Sequence, residues 1–380
     1  MKMLSCALAI VFFLLETALA SDVYFLNAWT YGQRYRIMRY GADGLPNPTG
    51  AVINELNDGG AANAAWSSAF KIGNIERVYA SRFYSGQWRD IGIWESTGDG
   101  FVFTGTALVA NSSEPYGIGP AQAFLAPSDP RPFKMVYLIR NAAGAGTQFA
   151  LASSVTGEPG TWQRDGVIYT ASQSFEAFGI SPSHVLEVEP GLWAITYQGY
   201  RYATNATLGA GPAAIITASS PNGPFGNPKI IMEPNGNLPG IVSAVRMQSF
   251  GTTNGAIIPG PYVLRNPAGG LEPVNVVKQT GNKVFFDRPL LASYSNGTMA
   301  HVAAYKIDPS MIYGDGNKWR AIFTGYGHFT DYMTEYTFRA ESDNYDGPYI
   351  PSGAPIAFAP WTAEGAFSTE NPTPLVEVGP

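Results

Sequence analysis

Short apolar runs alternate with turn-forming residues along most of the chain. Two clear examples are Phe133–Arg140 (F-K-M-V-Y-L-I-R) and Leu192–Gly199 (L-W-A-I-T-Y-Q-G). Apolar or alternating runs of about four to eight residues, bounded by Gly, Pro, Asn or Ser, are typical of β-strands. No helical periodicity of any length is present, so the pattern predicts an all-β fold.

One turn recurs along the chain, with a polar strand end, a Gly or Asn/Asp turn, and an aromatic or apolar strand start. Its spacing is roughly 55–65 residues, which falls in the range of propellers and other repeat arrays. The copies are Tyr40–Pro46, Ser96–Phe103, Ser153–Trp162, Ser219–Phe225, Gln279–Phe286 and Ser342–Tyr349. A hairpin repeated at this spacing predicts a β-propeller of four-stranded antiparallel blades.

Alignment on this turn divides a blade into strands that we call A to D from the inside outward. Residues 117–170 and 179–233 each supply four such strands. Residues 299–359 fit the same scheme, with strand A at Met299–Lys306, whereas residues 240–291 fit less cleanly. Residues 66–110 fit mainly in their last two strands. In a propeller, the A strands line the central channel.

The two ends of the chain complement each other. Residues 22–55 supply strands that resemble B, C and D, and residues 371–380 resemble strand A of the third blade. Pairing of these segments would close the ring and leave no open sheet edge. We therefore expect six blades in a single domain over residues 21–380. The alternative is five blades with an N-terminal decoration.

The N-terminus has the features of a secretory signal peptide. Lys2 precedes an apolar run, Ala7–Leu15, and the small residues of Ala18–Ala20 form a cleavage site. We expect residues 1–20 to be removed and the protein to be secreted, or periplasmic in a Gram-negative host. An uncleaved N-terminal anchor is the alternative. Cleavage would remove Cys6, the only cysteine, and with it any disulfide or thiolate chemistry.

The amino-acid composition limits the kinds of molecule that the protein is expected to bind. The chain has 43 Gly and 29 Pro, 13% aromatic residues and only 14% charged residues, which fits many short strands joined by turns. The net charge of −6 argues against nucleic acid as a partner. We expect a monomer that binds carbohydrate and does not bind membranes. The motifs of phosphate-binding loops, zinc proteases and EF-hands are missing, so we expect no required cofactor.

Two loops that lead into A strands match closely. They read E-P-Y-G-I-G-P-A and E-A-F-G-I-S-P-S, and they place Glu114 and Glu176 at the same point of successive blades. Paired carboxylates are what glycoside hydrolysis requires, one as general acid and the other as base or nucleophile. The alternative is that the Glu repeats with the blade and caps the turn.

Other polar residues lie on predicted A strands or in predicted B–C loops. His184 and His301 are predicted in the channel, as catalytic groups or as satisfied residues of its wall. Aromatic residues interleaved with polar ones suit sugar rings, whose apolar faces stack on aromatic side chains. The alternative is that these tyrosines pack between loops. The predicted substrate-binding residues are Gln122, Tyr200, Arg201, Tyr202, Arg246, Tyr326, His328 and Asp331.

The turns A-S-S-P-N-G-P-F and A-L-A-S-S-V-T-G-E-P-G-T-W resemble those of secreted propeller glycosidases, above all glycoside hydrolase family 43. That resemblance implies five blades and three acidic residues on inner strands, often as an Asp before Pro where strand A begins. Here Gly119 precedes Pro120 and Ser181 precedes Pro182. A second resemblance is to six-bladed sialidase-like propellers, through S-T-G-D-G-F-V-F and Arg36. Whether calcium fills the channel stays open.

Two functions follow from these patterns. The first is a secreted glycoside hydrolase that acts on a poly- or oligosaccharide, with Glu114 and Glu176 as the acid/base pair. The second is a carbohydrate-binding or interaction propeller without catalysis, which the absence of acidic residues at Gly119 and Ser181 favours.

Overall fold

A computed structural model of the chain describes most of its length. The described residues are 23–30, 34–41, 53–55, 63–84, 86–97, 100–142, 145–201, 211–233, 245–248, 251–252, 260–265, 271–280, 283–286, 290, 299–302, 306–314, 316–329, 332–357 and 366–378.

The described residues form β-strands and one short 3₁₀ helix, Ser174–Glu176. The strands are β1 (Val23–Thr30), β2 (Arg34–Gly41), β3 (Ile53–Glu55), β4 (Asn63–Ile72), β5 (Ile75–Tyr84), β6 (Gln87–Thr97), β7 (Gly100–Val109), β8 (Ile118–Leu125), β9 (Phe133–Ile139), β10 (Gln148–Ser154), β11 (Gln163–Thr170), β12 (Gly179–Glu189), β13 (Leu192–Tyr200), β14 (Ala213–Ala218), β15 (Gly226–Met232), β16 (Val245–Gln248), β17 (Gly251–Thr252), β18 (Gly260–Arg265), β19 (Leu271–Thr280), β20 (Lys283–Phe286), β21 (Met299–Val302), β22 (Lys306–Gly314), β23 (Trp319–Phe329), β24 (Tyr332–Ser342), β25 (Ile350–Ala357) and β26 (Ala366–Val378).

Four groups of strands form propeller blades, in which each strand pairs antiparallel with the next one along the chain. The blades are β4–β7, β8–β11, β12–β15 and β22–β25. Their first strands are the inner ones, since β8 contacts both β4 and β12, and β12 contacts β22. The predicted all-β propeller with four-stranded blades is confirmed in the described part.

Strand A of the last blade lies later in the sequence than predicted. Met299–Lys306 was expected to form it, but Met299–Val302 is β21, which pairs with β16 and β18 in another sheet. The inner strand is β22, whose Asp308 is paired with Thr324 of β23. Ile312 of β22 is buried in the apolar cluster shared with β12–β15, and Met311 is buried against Ile322 of its own blade.

The recurring turn joins strands C and D and docks on the blade before it. The amide of Gly160 donates to Thr106 O on β7 (3.3 Å) and that of Phe225 to Ile168 O (2.9 Å). The amide of Tyr349 donates to Ile231 O on β15 (2.8 Å). The blade β22–β25 therefore lies directly against β12–β15, and one apolar cluster is shared between them.

The region predicted as a less regular blade, residues 240–291, does not separate those two blades. Its described strands form a sheet in the order β17-β16-β21-β18-β19-β20, and β18 and β19 contact the outer strand β25. The described strands do not confirm the predicted count of six blades.

The chain ends pair as the sequence predicted. Strand β26 lies antiparallel to β1, which pairs with β2, which in turn pairs with β3. Near its end β26 also pairs in parallel with β4, from Leu375 opposite Ala69 to Val378 opposite Ile72. The last strand of the chain thus joins the N-terminal strands to the first complete blade.

Candidate functional site

The candidate site lies where the inner strands begin, on the face where strands B and C are also joined. We call this face the mouth. Near it, Ser181 of β12 is paired with Gln198 of β13, and Asp308 of β22 is paired with Thr324 of β23. In both inner strands a proline follows directly, so the two positions are equivalent in successive blades.

Gly119 of β8 occupies the corresponding position in the second blade. Its φ is +97°, and an added Cβ would collide with the hydroxyl of Ser81 and lie 2.8 Å from that residue's own Cβ. An acidic side chain is therefore excluded sterically at Gly119. This explains the departure from the pattern of the family that the turns resemble.

Asp308 is an acidic residue before a proline at the start of an inner strand, and the sequence analysis missed it. The dipeptide Asp308-Pro309 was visible in the sequence. The sequence pattern assigns strand A of that blade to Met299–Lys306, which begins seven residues before β22. Asp308 therefore lies outside the predicted inner strand. The pairing of β22 with β23, which sets Asp308 opposite Thr324, identifies the inner strand, and the sequence does not reveal it.

Gln198 is the clearest unsatisfied polar group at the mouth. Its side chain has 0% exposure, and among the described residues neither Nε2 nor Oε1 of its carboxamide has a hydrogen-bond partner. A buried amide left unpaired costs about 1–3 kcal/mol, and such groups usually have a ligand or water as partner. Ser81 on β5 also has a buried hydroxyl without a partner in the described part.

Glu114 is held by four hydrogen bonds. The hydroxyl of Tyr137 (3.0 Å) and Nε of Arg164 (3.1 Å) donate to Oε1, and Arg164 NH2 (2.7 Å) and the amide of Asn111 (3.0 Å) donate to Oε2. The side chain is 3% exposed. Burial, together with the nearby carboxylate of Glu114, raises the pKa of Tyr137, so this phenol stays a donor.

Glu176 repeats the arrangement one blade further on. The hydroxyls of Tyr169 (2.5 Å) and Tyr197 donate to Oε1. The amides of Ser172 (2.7 Å) and Gln173 (2.8 Å) donate to Oε2. The side chain is 1% exposed. Burial and the same carboxylate raise the pKa of both tyrosines.

These contacts give the two glutamates a shared structural role. Each carboxylate accepts four hydrogen bonds, which is its full complement. Glu114 ties the loop before β8 to β9 and β11 of its own blade. Glu176 ties the loop before β12 to β13 of its own blade and to β11 of the preceding blade. This is the capping alternative that the repetition suggested. The acid/base role predicted for Glu114 and Glu176 has no support from this geometry.

His184 lies between two inner strands. The backbone amide of Ile312 on β22 donates to its Nδ1 (3.4 Å), so Nε2 carries the ring proton. Burial lowers the pKa of His184 to about 4, and the ring is uncharged at neutral pH. Gln122 on β8 is also buried.

His301 and Arg246 do not lie on inner strands, contrary to the prediction. His301 belongs to β21, where it is paired with Val263, and Arg246 belongs to β16. Both strands are part of the sheet that contacts β23 and β25 of the last blade. The prediction for His301 follows from the strand A assigned to Met299–Lys306, and that for Arg246 from the prediction that residues 240–291 form a blade.

The residues predicted in B–C loops are dispersed. Tyr200 ends β13 at the mouth, whereas Arg201 is bound to Glu233 at 2.9 Å on the surface. Tyr326 and His328 lie within β23 rather than in a loop, because this strand extends to Phe329. Tyr202 and Asp331 lie outside the described residues.

Two tryptophans and an arginine form a cluster at the mouth that the sequence analysis missed. The ring centroids of Trp66 and Trp88 are 4.4 Å apart, and Arg140 Cζ lies 5.6 Å and 5.5 Å from them. Burial lowers the pKa of Arg140 to about 10, opposed by the nearby Tyr200. Trp66 has a φ of 54°, an unusual conformation that is often found at functional sites.

Within the described residues, no group of three or more His, Cys, Asp or Glu side chains could hold a metal ion. No helix in that part of the chain is long and apolar enough to cross a membrane.

Neither a protein-family model nor a curated protein sequence matches the chain. Solved structures similar to it include a thermostable family-43 glycoside hydrolase, 15% identical, with 80% of this chain and 97% of that one covered and a TM-score of 0.38. An endo-1,4-beta-xylanase from Bacteroides thetaiotaomicron is 12% identical, with 80% and 77% covered and a TM-score of 0.43. A family 117 glycoside hydrolase from Zobellia galactanivorans is 10% identical, with 79% and 72% covered and a TM-score of 0.44.

Proposed function

We propose that the chain is a glycoside hydrolase-like protein that binds a poly- or oligosaccharide at the mouth and cleaves it there. The observation that carries this proposal is the buried, unpartnered carboxamide of Gln198. An amide with unused donor and acceptor atoms suits a ligand that offers hydroxyl groups in return, as a sugar does. The resemblance of the turns to those of propeller glycosidases supports the same class of ligand.

Asp308 is the carboxylate that we propose for catalysis. It begins an inner strand, a proline follows it, and β22 contacts β13, which carries Gln198. Glycoside hydrolysis uses two carboxyl groups, one to protonate the leaving oxygen and one to activate water or attack the sugar. Asp308 takes one of these roles.

The test replaces Asp308 by Asn and follows release of reducing sugar from soluble xylan, arabinan and fructan. Loss of the ionisable carboxyl should lower turnover at least a hundredfold, as removal of a general acid or base does. Asp343→Asn is the matched control, since Asp343 is exposed in a turn on the opposite face. Thermal unfolding should be the same for all three proteins.

Full activity of folded Asp308→Asn would refute the role of Asp308. A wild-type protein that neither binds nor cleaves any of these polysaccharides would refute the proposed function itself.

The second candidate is a propeller that binds carbohydrate without cleaving it. Two observations favour it: the steric exclusion of an acid at Gly119 and the four hydrogen bonds that occupy each of Glu114 and Glu176. Binding of a polysaccharide by the wild-type protein with no release of reducing sugar would establish this alternative. Turnover of any glycoside would exclude it.

We also propose that five blades surround the channel. In the fifth blade, β26 is strand A and β1 to β3 are the other strands. Contacts of β12 with β22, and of β26 with β22 and β4, support this closure. The sheet β16–β21 is then an insertion between the third and fourth complete blades.

We further propose that the protein is secreted after cleavage of residues 1–20, and that it acts as a monomer on carbohydrate outside the cell. The support is the signal-peptide pattern of the first 20 residues together with the class of ligand.

A further inference from the structure

We infer that the mouth carries a row of aromatic platforms for an extended polysaccharide, anchored by Tyr116 and Phe178. This inference rests on the proposed carbohydrate function and specifies its substrate as a chain of several sugar residues.

Tyr116 and Phe178 occupy the same place in successive blades. Each follows a buried glutamate by two residues, in the loop that leads into β8 or β12. Tyr116 is 49% exposed and Phe178 is 47% exposed. Two large rings that stand in solvent at equivalent positions of one face are typical of a binding surface.

The backbone under both rings is held rigidly. Glu114 and Glu176 accept hydrogen bonds from the amides of their own loops. The amide of Gly117 donates to Glu114 O (2.9 Å), and that of Phe178 donates to Tyr200 O (3.0 Å). A ring presented from a fixed backbone loses little conformational freedom when a ligand binds, which favours affinity.

The Trp66–Trp88–Arg140 cluster lies beside the first platform. The amide of Arg140 donates to Gly117 O (3.1 Å), next to Tyr116. An added Cβ at Gly117 would collide with the carbonyl oxygen of Trp88. Strands of the first and second blades therefore meet directly at Tyr116.

Tyr200 extends this surface to the second platform. An added Cβ at Gly179 would lie 3.3 Å from the Tyr200 ring, next to Phe178. Tyr200 also interacts with the charge of Arg140, and the row therefore draws on residues of three blades. Its members are Trp66, Trp88, Tyr116, Arg140, Tyr200 and Phe178.

The side chains of the row are suited to binding consecutive sugar residues of a polysaccharide. Aromatic faces stack on the apolar faces of sugars, and arginine donates to their hydroxyl groups. Tyr116 and Phe178 are presented from two successive blades, so we expect a chain of several sugar residues to use both rings. Affinity should therefore rise with the number of sugar residues.

The test compares wild type with the double variant Tyr116→Ala, Phe178→Ala. Binding of soluble xylan, arabinan and fructan is measured by affinity electrophoresis, and binding of oligosaccharides of increasing length by calorimetry. Loss of each stacking contact should weaken binding of the polysaccharide about tenfold. The ratio of long-chain to short-chain affinity should fall. Val155→Ala is the control, because Val155 is 61% exposed in a turn on the opposite face.

Equal affinity of wild type and the folded double variant for every chain length would overturn this inference. Hydrolysis of a polysaccharide by the wild type would, in that case, leave the proposed function standing. If the wild type binds no polysaccharide, the inference and the proposed function both fail.

Discussion

Some buried polar side chains at the mouth have hydrogen-bond partners for all their polar atoms, and others have none in the described part. We assign structural roles to the first kind and functional roles to the second. Glu176 is buried and accepts four hydrogen bonds, whereas the carboxamide of Gln198 is buried and, among the described residues, makes none. Satisfied buried groups stabilise a fold, and unsatisfied ones lower its stability until a ligand or water binds. The sequence predicts a catalytic role for Glu176 and no role for Gln198, because hydrogen bonding is decided by neighbours distant along the chain.

We predict that Glu176→Gln lowers the free energy of unfolding by about 1–3 kcal/mol. The amide brings an NH₂ group among four donors, so at least one hydrogen bond is lost. Denaturant unfolding measures the change, and Glu158→Gln is the control because Glu158 is exposed. Loss of hydrolysis with unchanged stability would contradict the structural role and restore a catalytic one.

The recurring turn shows how one element orders the blades. Gly157, Gly223 and Gly347 have φ values of +73°, +72° and +71°, and each turn docks on the blade before it. In the second blade, Tyr79 of the preceding blade donates its hydroxyl to Gly157 O at 2.7 Å. The turn is therefore a connection between blades as well as a hairpin, and its glycine is required by backbone conformation and by close contact.

For this element we predict that Gly157→Ala destabilises the fold more than Gly191→Ala. Both residues have left-handed backbone, with φ of +73° and +77°, which costs an alanine roughly 1–2 kcal/mol. At Gly157 the added Cβ would also lie 2.6 Å from the Tyr79 hydroxyl and 2.8 Å from Phe133. At Gly191 nothing lies within 4 Å. Equal losses in thermal unfolding would show that the turn does not join the blades.

In the molecule as a whole, two blades can lie in direct contact without following one another directly along the chain. The blade β22–β25 lies against β12–β15, although the strands β16–β21 separate them in sequence. The described strands of that sheet therefore do not lie between these two blades.

We predict that replacement of residues 245–302 by a short Gly/Ser linker leaves a folded protein with a single cooperative unfolding transition. A five-blade ring loses an insertion by this deletion, whereas a six-blade ring would lose a whole blade. Circular dichroism and thermal unfolding provide the measurement, and deletion of residues 366–378, which form β26, is the destabilising comparison. Complete unfolding of the first variant would establish that the sheet β16–β21 is part of the ring.

The all-β fold and the four-stranded blades follow from the sequence, because apolar alternation and turn chemistry are local. Internal repetition predicts the pairing of the chain ends and the equivalent loops of Glu114 and Glu176. The saturation of both glutamates, the lack of room for an acid at Gly119 and the position of Asp308 near the start of an inner strand required the three-dimensional structure. These facts depend on strand register and on side chains from neighbouring blades, which no local pattern records.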